Sequence, residues 1–158
     1  MLLELAQTVD NEMDALEGYL FGWQSFVKHS FSKPAGFQYS YVTKTEVTAK
    51  YLEDYFENFP DVFGNVPATL MKMFKAKTMD EQEEIMIAPV IEAGYIKQED
   101  ARSIYRLAHI LHTGLLTFAL NPENRNKCDE YASRFMLYFT SFIGTKLLKP
   151  YDLSKYQN

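Results

Sequence analysis

Residues 107–120 read LAHILHTGLLTFAL, a stretch of fourteen with no formal charge while both histidines are neutral. Apolar side chains recur in it at intervals of three and four, so the spacing predicts a helix. Extended backwards by one turn, it carries two apolar stripes. Ile104, Leu107, Ala108, Leu111, Leu115 and Phe118 make the first, and Tyr105, His109, His112, Leu116 and Ala119 the second. A helix on the surface of a monomer needs one such stripe. Two stripes demand burial on two sides.

The last helix repeats the pattern. Cys128, Tyr131, Phe135, Tyr138 and Phe142 form one row, and Ala132, Met136, Phe139 and Ile143 another, with no charged residue from Phe135 to Thr145. Burying such a side chain stabilises by about 1.5–3 kcal/mol, so an open face of them in water is an aggregation liability. Either both helices are central in one core, or one row of each pair faces inward and the other meets a second copy. The second solution suits a chain of 158 residues better, because few helices in so small a domain are fully surrounded. A homodimer through a symmetric four-helix interface is expected, with Leu115, Phe118, Met136, Phe139 and Ile143 in it. Gly114 and Gly144 would let the backbones approach.

The rest of the chain is also helical by pattern. Residues 1 to about 31 carry an amphipathic stripe, with Gly18 and Gly22 marking a kink or close packing. SKPAGFQYS at 32–40 is a break. Thr45 offers an N-cap for a helix through KYLEDYFENF, PDVFGNVP is a bend, and ATLMKMFKAK at 68–77 is a short helix. Thr78 or Asp80 opens the next, Pro89 predicts a kink inside it, and Gly94 suits its C-cap. Helices over about 99–120 and 123–148 follow, separated by Asn121-Pro122. No period-two strand pattern and no repeat is present. The expected fold is all-α, about seven helices in one domain over 1–148, followed by a polar tail at 149–158.

Net charge is −5, and the densest basic run, KMFKAK at 72–77, stands beside an acidic one. Such a chain lacks the clustered positive field that grips a phosphate backbone. Cys128 is the sole cysteine, which excludes an internal disulfide. The N-terminus has no basic n-region, and no apolar run reaches the roughly eighteen residues of a membrane span, so a cytoplasmic protein without membrane contact is expected.

No phosphate-cradling glycine loop, nucleophile elbow or cysteine-pair spacing occurs, and no nucleophile–base constellation can be assembled, so no enzyme is expected. His109 and His112 share a helical face, but two imidazoles without a placed carboxylate are not a metal site. No metal and no cofactor is expected. Glu83 and Glu84, like Glu53 and Asp54, point apart on a helix and read as solvated faces.

IEAGYIKQEDARSIYRLAHILHTGLLTFAL, followed by a helix ending RFMLYFTSFIG, resembles the C-terminal part of TetR-family transcriptional regulators. The likeness lies in a helix ending at a glycine turn (Ile91–Ile96), then Glu99 and Asp100, then an apolar helix around Gly114; it covers roughly 85–145. The resemblance implies that the last two helices build the dimer interface and that an effector pocket lies in the helical core. Tyr19, Trp23, Phe26, Tyr55, Phe59, Met71 and Phe74 would line it, with His109 and His112 as polar groups. Family members begin with a basic helix-turn-helix, whereas the first 27 residues here contain neither Lys nor Arg.

The function that follows is a homodimeric domain that senses a small apolar or aromatic effector, with DNA reading left to a helix-turn-helix not in this sequence. The alternative is a stand-alone helical homodimer that binds or interacts without reading DNA. In either case the 158-residue chain alone should not shift duplex DNA in a gel at physiological salt. Sub-micromolar binding there would overturn the charge reading.

Overall fold

Asp14 fixes where the first described helix begins. One of its carboxylate oxygens accepts from the Leu16 and Glu17 backbone N–H groups at 3.0 and 3.3 Å, satisfying two donors that a helix start leaves open. Its other oxygen accepts from the Tyr95 hydroxyl at 2.6 Å, tying this end to a distant turn. The structure, a computed structural model, describes residues 13–38, 58, 72, 75–76, 78–124 and 126–157. Among them are five α-helices, two 3-10 turns and no strand, so the fold is all-helical. The helices are α1 (Ala15–Ser32), α2 (Pro34–Phe37), α3 (Met79–Glu92), α4 (Gln98–Ala119) and α5 (Cys128–Gly144). The helices expected over 45–59 and 68–77 lie outside the described residues.

Local signals set most boundaries. Thr78 and Glu81 form a capping box at the start of α3: Thr78 Oγ1 accepts from the Glu81 N–H at 3.1 Å, and Glu81 Oε2 from the Thr78 N–H at 3.3 Å. The helix runs through Pro89 to Glu92 and ends in a Schellman arrangement. Gly94 sits at φ +72°, its N–H donating to the Ile91 carbonyl while the Tyr95 N–H donates to that of Val90. Lys97 then leads into α4. At the far end of α4 the Asn124 amide donates to the Phe118 carbonyl, and Asn121 accepts from the Glu123 N–H. These bonds hold Pro122–Asn124 as a 3-10 turn, so α5 starts at Cys128 rather than near residue 123. One turn of helix, α2, occupies part of the expected break at 32–40, with Pro34 at its first position.

The core is built by α1 lying across α5, with α4 beside α5 and α3 closing against α1 and α4. Gly22 is where α1 and α3 come closest: a Cβ there would stand 3.1 Å from the Met86 methyl. The expected close packing is therefore present, and α1 continues unbroken through both Gly18 and Gly22. On α5 the side chains of Phe135 and Phe139 have no exposed surface, and Trp23 packs on both, with ring centres 5.3 and 5.4 Å away. Tyr19 adds a tilted contact to Phe139 at 6.2 Å.

This packing corrects the expected interface set. Met136, Phe139 and Ile143 are buried inside the protomer, because α1 covers the row they occupy. On α4 the buried row is Tyr105, His112, Leu116 and Ala119, together with Ala101, Ile104 and Ala108. Leu115 is half-buried, and Phe118 is 62% exposed. Gly144, expected at a subunit contact, instead faces Leu153, whose Cδ1 would lie 3.3 Å from a Cβ at that position.

The segment read as a polar tail is docked. Leu148 N–H donates to the Tyr95 carbonyl, Lys149 to the Ala93 carbonyl, and Lys155 pairs with Glu17. Tyr156 is buried against the helices, and Gln157 donates to Thr140 Oγ1. Lys146 bonds Asp100 at 2.8 Å, joining the end of α5 to the start of α4.

With Phe139 at the α1–α5 contact, Phe139→Ala should lower unfolding free energy by about 3–5 kcal/mol in urea titration. Phe139→Glu should abolish the cooperative transition rather than yield a folded monomer, since it strands a charge in the core. A folded, monomeric Phe139→Glu variant would contradict the packing.

Candidate functional site

Four polar atoms converge on the aromatic core without hydrogen-bond partners among the described residues: Tyr19 Oη, Trp23 Nε1, Glu83 Oε2 and His109 Nε2. Tyr19 and Trp23 come from α1, one turn apart, Glu83 from α3 and His109 from α4. A buried polar atom left unpaired costs roughly 1–3 kcal/mol. The four recover part of that energy from one another, because Tyr19 and His109 both act on Glu83 and Trp23 acts on Tyr19, and the remainder is open to a bound molecule or ordered water.

Glu83 is the residue that sequence reading missed. It is 5% exposed, not a solvated neighbour of Glu84. Glu83 precedes Ile87 by one turn and Val90 by two, and those two residues are core at 2% and 1% exposure. The helical phase of α3 therefore carried the signal, while attention to the adjacent Glu84 concealed it. Glu83 Oε1 lies 3.5 Å from His109 Nε2, an ion-pair distance without hydrogen-bond alignment. Burial holds the Glu83 carboxyl above its usual range, opposed by His109 and Tyr19 and reinforced by the like charge of Asp80. Burial, and then the Glu83 charge, raise the Tyr19 phenol well above its ordinary value.

Around these groups stand rings. Trp23 is edge-on to Phe26 at 5.6 Å and to His109 at 5.9 Å, and it stacks on Phe135. Phe26 lies 4.9 Å from the His112 ring, which Phe31 stacks against at 5.5 Å. Five of the nine expected pocket residues are thus together: Tyr19, Trp23, Phe26, His109 and His112. Tyr55, Phe59, Met71 and Phe74 lie outside the described residues.

The two histidines differ. His112 is sealed and partnered, its Nε2 2.8 Å from Ser30 Oγ. The Ser30 hydroxyl already donates its one proton to the Val27 carbonyl at 3.1 Å, so His112 Nε2 must carry the hydrogen and donate. Burial, then the nearby His109, push its pKa down to about 4 from 6.5. His112 is a neutral structural group, and His109 is the one that faces the unpartnered atoms. No group of three or more metal-ligating side chains occurs among the described residues. Next to the cluster, α3 and α4 enclose a groove of about 580 Å³ lined by Asp80, Glu84, Ile87, Ala101, Arg102 and Tyr105. Tyr105 stands edge-on to His109 at 6.1 Å, joining groove to cluster. Among the described residues, no helix is long and apolar enough to cross a membrane.

No protein-family model, curated protein or solved structure matches the chain.

The His112 environment makes stability pH-dependent with a definite sign. Its folded pKa is depressed, so between about 6.5 and about 4 the unfolded chain takes up a proton that the folded one refuses, and stability falls as pH drops through that window. Relative to pH 7.5, about 2–3 kcal/mol should be lost at pH 4.5 from this group. His112→Gln, which keeps a neutral donor for Ser30, should remove that loss in paired urea titrations. Equal acid sensitivity in both proteins would refute the assignment.

Proposed function

We propose that this chain is an effector-sensing and dimerisation domain of a TetR-like transcriptional regulator, binding a small apolar or aromatic molecule in its helical core. The observation that carries the reading is the set of four polar atoms on α1, α3 and α4 without hydrogen-bond partners among the described residues, set among aromatic rings of α1, α4 and α5. Mostly apolar walls with a few convergent polar groups are what small-molecule sites are made of. A bound ligand pairs the orphan atoms and couples three helices in one event.

Dimerisation is supported by what α4 and α5 leave outside. Of the five exposed large hydrophobic residues among the described ones, four are on these helices: Ile110, Phe118, Leu137 and Tyr138. Ile110, Gly114 and Phe118 lie on one line at four-residue spacing, with open space above Gly114 where another backbone can approach. The partner in this reading is a second copy, and the interface is moved from the buried Met136–Phe139–Ile143 row to this outer one. The stand-alone helical homodimer is the second reading; an overall charge of −5 favours it over any DNA contact by this chain itself.

Two measurements test the proposal. In sedimentation equilibrium the wild-type chain should be a dimer at tens of micromolar, and Ile110→Glu with Phe118→Glu should make it monomeric with unchanged helical circular dichroism. In a thermal-shift screen of small aromatic compounds, hits should raise the melting temperature, and Tyr19→Phe combined with His109→Ala should abolish the rise. A monomeric wild type would remove the dimer, and a screen without hits the sensing function.

A further inference from the structure

Building on the ligand-sensing reading and resting on it, we propose that the Tyr19–Trp23–Glu83–His109 site takes a planar aromatic cation bearing an N–H donor, with Glu83 as its counter-charge. The charge of the site decides this. Glu83 is an acid sealed in the core, and no Lys or Arg lies within ion-pair distance of it among the described residues. Among the described residues His109 meets Oε1 at 3.5 Å, while Oε2 has no hydrogen-bond partner. The site therefore holds a surplus acceptor that an N–H on a cation would satisfy.

The walls agree with the acid. Trp23 contributes an indole face, and Phe26 and Tyr19 stand on the same helix. Ring faces are the negative ends of aromatic quadrupoles and attract a cation, most strongly where water is excluded. An anion would meet both the carboxylate and those faces. A hydrocarbon would leave all four polar atoms as unpaired as before. The Tyr19 hydroxyl can rotate to accept from the ligand, and the Trp23 N–H can donate to a lone pair on its ring.

The groups facing Glu83 are Tyr19 from α1, His109 from α4 and Asp80 from its own helix. Burial raises the Glu83 carboxyl above its usual range, so a proton competes with a bound cation for the carboxylate. Binding then displaces that proton and tightens as pH rises through the range, above the usual carboxylate one, in which Glu83 ionises.

Trp23 is the chain's one tryptophan, so its emission reports directly on the site. Three flat tricyclic probes of different charge separate the possibilities: proflavine (cation), acridone (neutral) and 9-anthracenecarboxylate (anion). Proflavine should quench Trp23 and bind tightest to the wild type, with affinity rising with pH. Glu83→Gln should weaken it about tenfold or more and admit the anion, while circular dichroism and urea titration confirm the variant is folded. If that variant does not fold, the charge series on the wild type alone still decides. Acridone or 9-anthracenecarboxylate binding as well as proflavine, or proflavine indifferent to Glu83→Gln, would refute the cation and leave the pocket standing. If none of the three binds, both this inference and the sensing reading beneath it fall.

Discussion

Everything described depends on Trp23 of α1 lying against Phe135 and Phe139 of α5. That contact decides which row of α5 is interior and therefore which surface α4 and α5 present outward. It also leaves the Trp23 ring edge-on to His109 of α4, one turn of α1 from Tyr19. A pair of aromatic helices can be buried by many partners. Here Gly22, one position before Trp23, lets a third helix close in, with the Met86 methyl 3.1 Å from where a Cβ would stand.

How much was legible in the sequence depends on how local the cause is. Thr78 and Gly94 bound α3 because a capping hydroxyl and a left-handed glycine act within four residues of themselves. The span of α4 was legible for the same reason. The division of α5 into rows at Phe135 and Phe139 was also visible, but not which row would be covered, since that is settled by a helix more than a hundred residues earlier in the chain. Both interface positions on α4 kept some exposure, whereas all three on α5 went inside.

The site was half legible. Tyr19, Trp23 and Phe26 lie on one stripe of α1, and His109 and His112 on one face of α4, so periodicity groups each set. Joining the two sets required the tertiary fold. Glu83 was lost because it was paired with its sequence neighbour Glu84, and two adjacent carboxylates on a helix read as a solvated face. The phase shared with Ile87 and Val90 outranks that pairing. His112 reached the expected neighbourhood in a different role, as a donor that stiffens α1 against α4 through Ser30.

The corner where Asp14, Tyr95 and the C-terminal segment meet has a mechanical consequence. Asp14 caps α1, Tyr95 follows the turn that ends α3, and the carbonyl of the same Tyr95 receives Leu148 from beyond α5. Lys149 covers the Tyr95 ring at 3.6 Å and bonds the carbonyl of Ala93, the C-cap of α3, while Lys155 returns to Glu17 in the first turn of α1. The start of α1, the end of α3 and the stretch after α5 are thus pinned at one point, and Glu83 is three turns of α3 away from it. A rigid helix pinned at one end behaves as a lever. The end of α3 and the start of α1 are therefore joined through the short Gly94 turn and one side-chain hydrogen bond, Tyr95 to Asp14, so that neither end can shift without loading the other.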